Sequence, residues 1–320
     1  MTSATPSRLV SIGNSGYLFA ATGAALFSTK AIFIKLAYQD HVSATLMLAW
    51  RMAFALPFFV CIGAWAFRQR RSRGEPLPTA HGIRLAMVCG IVGYYFASYF
   101  DFAGLQYISA QLERLVLFTY PIIIMFLSAA LYGERITGHG VTASVVTYAG
   151  LAIAFLSDVP AGGRETILGT ALVLAAALAF AIHQIYAKQF ISTLGPILYT
   201  AVSMSAAAIC CIAHHAIAGG GHFDASPRFL WMAAGCAIFA TVLPSLLINA
   251  SLARISSTSV AMISTLSPIV TIALAVMILG EPFTIADALG SALVIAGVAL
   301  YTRGNQRQRA HAEASDIAPS

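Results

Sequence analysis

Charge is what this sequence has least of. Asp, Glu, Lys and Arg make up 9% of its 320 residues and hydrophobic residues 59%, whereas a soluble domain carries about 25% charged residues to meet water. With a mean hydropathy of +0.81, the chain cannot cover a water-facing globule with polar groups. That excludes a soluble fold and calls for one embedded in lipid. Cysteine is sparse and unpatterned. Cys61, Cys89, Cys210, Cys211 and Cys236 lie in apolar runs with no CxxC or Cys/His spacing, so they read as small buried residues and no metal is expected. No GxxxxGK[ST], HExxH or GxSxG sequence occurs. The first absence removes the phosphate cradle of an ATP-driven machine, the others two hydrolase signatures, and no cofactor is expected.

What is present is a series of long apolar runs. A bilayer core takes about 20 such residues per helix. Runs bounded by charges, Gly or Pro fall at roughly 16–38, 43–67, 80–100, 104–131, 139–157, 168–190, 196–217, 229–250, 256–279 and 284–302. The expected fold is an all-α integral membrane protein of ten transmembrane helices. Residues 1–15 carry one charge, Arg8, and lead into a run too long for a signal-peptide core, so the first span reads as a retained anchor. Ten spans put both termini on one side. Placing them in the cytoplasm leaves Arg8, Arg68, Arg70, Arg71, Arg73, Arg84, Arg135, Lys188, Arg254, Arg303, Arg307 and Arg309 inside, and only Lys35, Arg164 and Arg228 outside. The net charge of +6 is therefore a topology signal, and no nucleic-acid partner is expected. The partners expected are the lipid bilayer and a small-molecule substrate, with no oligomeric state indicated.

The chain also repeats itself. Residues 121–135 read PIIIMFLSAALYGER, and 147 residues later 268–282 read PIVTIALAVMILGEP. At that constant offset, Ile108, Ser109, Pro121, Gly133, Glu134, Thr137 and Gly150 recur as Ile255, Ser256, Pro268, Gly280, Glu281, Thr284 and Gly297. An earlier stretch, FSTKAIFIK (27–35), matches FAIHQIYAK (180–188), setting Lys30 against His183. Residues 16–157 thus form one five-helix unit and 168–302 a second, with 1–15 and 303–320 as short tails. Five is odd, so the two units cross the membrane in opposite senses, the plan of secondary transporters with a midplane site between inverted halves.

These residues carry a resemblance. The first span ending in Lys35, the fourth with Pro121 and Gly133-Glu134-Arg135, and their second-half copies resemble the drug/metabolite transporter superfamily, within it the EamA-type ten-helix exporters. More loosely, the chain is similar to bacterial aromatic amino-acid exporters of the YddG type. The resemblance implies export of amino acids or related small metabolites, without ATP, from a bacterial inner membrane.

Ionisable groups inside a span cost about 2.5–3.5 kcal/mol on insertion scales and mark a cavity or a partner. Lys30 and His183 sit near the middle of their spans. Each either meets a polar or carboxylate-bearing substrate or is tied to a neighbouring carbonyl for packing, and Tyr186, one turn beyond His183, adds a hydroxyl. In GYYFASYFDF of the third span, Tyr95 and Tyr99 share a face, with Tyr94 on the adjacent stripe. Tyr94 and Tyr95 lie too deep for an interfacial aromatic belt and are candidates to line a cavity for flat, apolar substrates, although aromatic walls serve a polyspecific drug or metabolite efflux carrier equally. Asn249 and Ser245 offer polar groups in the eighth span, for the cavity or for core hydrogen bonds. The candidate substrate-binding set is therefore Lys30, Tyr94, Tyr95, Tyr99, His183, Tyr186 and Asn249.

Glu113 and Arg114 enter the fourth span where the second half has Val260 and Ala261. They are either an outer gate or proton-coupling site, or separately paired groups. Protons become a partner only if Glu113 or His183 titrates; otherwise a facilitator driven by the substrate gradient is expected. Arg51 needs an internal partner, for which Asp101 is available. Pro121 and Pro268 are candidate hinges, since Pro removes a backbone donor and permits a bend. His214 and His215 make a poor metal pair, because adjacent helical residues diverge. A channel would repeat polar residues along one pore-lining face, which these scattered groups do not. A membrane-embedded enzyme is the remote alternative.

Overall fold

The computed structural model describes residues 6–133, 136–219, 221–252, 254–255, 260, 263–264 and 266–317. Glu134, Arg135 and Ser256 lie outside the described residues, as do the side chains of Lys188 and Asn249. Every regular element among the described residues is helical. Among the described residues, nine helices are long and apolar enough to cross a bilayer: Ser15–Tyr38, Ala44–Ser72, Ala80–Gly104, Ala110–Tyr132, Gly138–Asp158, Arg164–Ala187, Pro196–Ala218, Pro227–Ile248 and Ile285–Gly304. The shorter apolar helix Ser267–Leu279 takes the place of the ninth span.

Several spans are not continuous α-helices. Helix Pro6–Ser28 gives way at Thr29 to Lys30–Tyr38, and Ala110–Leu117 stops two residues short of Tyr120–Tyr132. At both breaks a threonine hydroxyl competes for the backbone: Thr29 Oγ1 donates to the Leu26 carbonyl at 2.6 Å, and Thr119 Oγ1 to the Val116 carbonyl at 2.7 Å. Pro121 falls in the first turn of the restarted helix, where a missing N–H leaves no bond unmade, and Pro268 does the same in Ser267–Leu274. The prolines therefore begin helices rather than bend them. The repeated Gly-Glu has an equally local cause. Gly133 and Gly280 end their helices in the left-handed region, at φ 68° and 67°, which a Cβ would disfavour.

Wide π-turns interrupt the third span at Ile91–Phe96, the eighth at Ile238–Val242 and the ninth at Ala275–Leu279. Ile238 stands 147 residues after Ile91, the offset of the sequence repeat. Such bulges leave backbone groups without regular partners and gather at functional sites.

Packing follows the same duplication. The second span lies on the seventh, the fifth on the tenth and the fourth on the ninth. The first lies on the eighth and the third on the sixth, which are one contact seen twice when the halves are exchanged. Small residues set the closest crossing: a Cβ at Gly150 would meet the Gly290 carbonyl and Leu293 Cβ, both at 2.6 Å. A large buried cluster including Ile34, Met47, Met52, Phe102 and Phe229 ties the first, second, third and eighth spans around the cavity described next.

Candidate substrate cavity

A cavity of about 370 Å³ opens where the broken helices meet, a volume suited to a small organic molecule. Its charged lining is Lys30, Arg51, Asp101 and Arg114. Its aromatic lining is Phe27, Tyr94, Phe118, Tyr120 and Phe180, and Thr241, Ser245, Ser264 and Ser267 supply hydroxyls. Both halves of the chain contribute.

The Thr29 break sets Lys30 at the start of its helix, with its side chain between two carboxyls. Lys30 Nζ lies 2.5 Å from Asp101 Oδ2 of the third span and 3.3 Å from Glu113 Oε1 of the fourth. Glu113 is fully buried. Asp101 Oδ1 and Glu113 Oε2 are buried with no hydrogen-bond partner among the described residues. One ammonium therefore serves two carboxylates from different spans, which holds three helices together at one point.

The arginines go elsewhere. Arg51 Nε donates to Thr241 Oγ1 at 2.9 Å, and its guanidinium lies 5.1 Å from the centre of the Phe102 ring. The Asp101 carboxyl that the sequence offered to Arg51 is taken by Lys30, and Arg51 Nη1 has no partner among the described residues. Arg114 donates to the Ser267 hydroxyl beside Pro268. Ser267 in turn meets Ser28 across the two breaks, Oγ to Oγ at 2.7 Å, and Thr271 donates to the Ser28 carbonyl at 3.1 Å. Ser28 and Ser267 were missed by sequence reasoning. The available signal was a hydroxyl residue within two positions before the ionisable residue or proline of a broken span.

The other expected residues are placed as follows. Tyr94 lines the cavity. His183 lies outside the cavity lining, with its ring against Gly93 of the third span and Nδ1 2.9 Å from the Cys89 carbonyl. Tyr199 stacks behind it. Tyr95 and Tyr99 meet His214, the Tyr95 hydroxyl at 3.0 Å from Nδ1 and the Tyr99 ring edge-on at 4.9 Å. Tyr186 is exposed on the outer surface of the bundle. Asn249 is within the eighth span, its side chain outside the described residues. His215 is bound to Thr45 and to the His222 carbonyl.

The second Gly-Glu has a partner in the first half. Glu281 receives the backbone N–H groups of Ala110 at 2.8 Å and Gln111 at 3.3 Å, and Gln111 Nε2 donates to the Pro282 carbonyl. A carboxylate thus caps the N-terminus of the fourth span, less than one turn before Glu113 of the Lys30 cluster, where orphan donors and the helix dipole favour it.

Known proteins supply the last finding. The model of the EamA-like transporter family matches residues 14–156 and again 167–303. The chain is 25% identical over 283 residues to the uncharacterized transporter YcbK of Bacillus subtilis, covering 86% of this chain and 88% of that one. It is 26% identical over 219 residues to an uncharacterized transporter of Archaeoglobus fulgidus, covering 67% and 75%. A solved crystal structure superposes with a TM-score of 0.61 at 20% identity over 92% of this chain and 99% of its own, a likeness of fold.

Proposed function

Because the chain belongs to the EamA-like transporter family of the drug/metabolite transporter superfamily, we propose that this multi-pass membrane protein exports small metabolites as a secondary carrier. Amino acids, aromatic or otherwise apolar, are the first class to test. The observation that carries the reading is the cavity itself: it lies at helix breaks in both halves and combines charged anchors with aromatic walls. Broken helices expose backbone groups to a ligand at membrane depth, and rocking of two inverted halves opens such a site to each side in turn. The exchange-related packing of the first span on the eighth and the sixth on the third supports that inversion. Substrate contacts fall to Lys30, Arg51, Tyr94 and Arg114. The positive-inside distribution supports cytoplasmic termini in a bacterial inner membrane.

Proteoliposome uptake of labelled amino acids, with counterflow, tests the reading. Saturable flux accelerated by substrate on the far side is expected; its absence across the panel overturns the amino-acid assignment.

Proton coupling is favoured over a simple facilitator by one feature. The Lys30, Asp101 and Glu113 cluster has two carboxyls on one ammonium, with Arg51 and Arg114 as the other charges lining the cavity. Its charge changes by one when a proton binds, and a substrate reaching Lys30 changes how firmly that proton is held. Flux should respond to an imposed pH gradient, and Glu113→Gln should remove the response while leaving counterflow. A rate indifferent to the gradient in the unmodified protein would establish the facilitator instead.

A further inference from the structure

We infer that the cavity is an anion site: it takes a substrate carboxylate between Arg51 and Arg114, and ranks monoanionic carboxylates above zwitterionic amino acids. The inference rests on the cavity being the substrate site and adds the charge it selects.

Three cations (Lys30, Arg51, Arg114) share this region with two carboxyls (Asp101, Glu113), and the Lys30 ammonium is occupied by both. Among the described residues the guanidiniums donate to neutral hydroxyls, Thr241 for Arg51 and Ser267 for Arg114, and Arg51 also lies over the Phe102 ring. Arg51 is 5% exposed, yet its Nη1 has no partner among the described residues, and the same holds for Arg114 Nε. A guanidinium away from water needs an anion or several acceptors, and its forked donors match a carboxylate. The described residues supply no free carboxylate for either arginine.

With both carboxyls ionised, a bound monoanion brings the region to neutrality, whereas a zwitterion leaves the excess cation in place and adds a second ammonium. Among the described residues, the carboxylate oxygens left for that ammonium are Asp101 Oδ1 and Glu113 Oε2, both on carboxylates already bound to Lys30. The rest of the ligand meets aromatic walls at Tyr94, Phe118, Tyr120 and Phe180, which accept a ring or an aliphatic tail. The ligand class is a small apolar or aromatic carboxylic acid in its ionised form.

Three compounds with one skeleton separate charge from shape: 3-phenylpropionate (−1), phenylalanine (net zero) and phenethylamine (+1). They would be titrated calorimetrically into the detergent-purified full chain at neutral pH. The expected affinity order is phenylpropionate, then phenylalanine about tenfold or more weaker, then phenethylamine. Arg114→Gln should weaken phenylpropionate by about tenfold while changing phenethylamine little. Phenylalanine binding as tightly as phenylpropionate, or no heat from any of the three, overturns the inference. If Arg114→Gln does not fold, the order in the unmodified protein still decides. Should the order hold while proteoliposomes show no flux of phenylpropionate either, the anion site stands and the carrier reading falls.

Discussion

Lys30 illustrates how far a single residue is predictable. Its cost inside a span marks it as paired or functional from sequence alone, and so do those of Glu113 and Arg114. Which of them pair is not legible, because the register and rotation of ten helices decide it: Lys30 reaches Asp101 and Glu113, while Arg51 turns to Thr241. The geometry makes a stability prediction. Lys30→Met leaves two facing carboxyls buried without their cation and should cost about 3–5 kcal/mol. Adding Glu113→Gln removes one of the two charges and should recover part of that loss in detergent unfolding; a double variant no better than Lys30→Met alone would show that the carboxyls do not act together. His183 teaches the complementary lesson. The internal alignment sets it opposite Lys30, yet Gly93, a residue without a side chain, lets the third span close over its ring. A Cβ there would overlap the imidazole, so Gly93→Ala should destabilise the protein by about 1–3 kcal/mol. His183→Ala in the same chain should relieve most of it, and additive losses would refute the contact.

At the scale of elements, hydropathy located the spans well because lipid imposes one period and one length on every crossing helix. The interruptions were only partly visible. Pro121 and Pro268 announced theirs, but the break at Thr29 and the paired π-turns leave no comparable mark in composition. Gly133-Glu134 and Gly280-Glu281 show what a repeat can conceal: the glycine stops its own helix, and Glu281 caps a different one in the other half. Nothing in the linear spacing assigns a residue at 281 to the amides of 110 and 111. Loss of such a cap is worth about 1 kcal/mol. Glu281→Ala should therefore lower stability by that amount and speed amide exchange at Ala110 and Gln111 above the rest of the fourth span. Glu281→Gln, which still accepts a hydrogen bond but lacks the charge, should fall between; unchanged exchange in the alanine variant would rule out the cap.

For the whole molecule, the question is whether the contacts between halves must break during a transport cycle. The Ser28–Ser267 pair offers a direct means of asking, because it joins the first-span break to the ninth-span break at 2.7 Å between hydroxyl oxygens. Those positions are near enough that cysteines placed there should form a disulfide with little backbone movement. If the halves rock about the cavity, this join cannot persist through every state, since Arg114 and Thr271 also converge on it. The experiment needs a background in which Cys61, Cys89, Cys210, Cys211 and Cys236 are replaced, all of them free thiols here. Ser28→Cys with Ser267→Cys should then transport normally when reduced, lose counterflow on oxidation and regain it with reductant, while either single cysteine stays insensitive. The arrested protein should still bind ligand from one side, because the cross-link fixes a state and alters the cavity lining at Ser267 alone. Full counterflow through the oxidised double variant would mean that the first and ninth spans move as one body and that access changes elsewhere in the bundle.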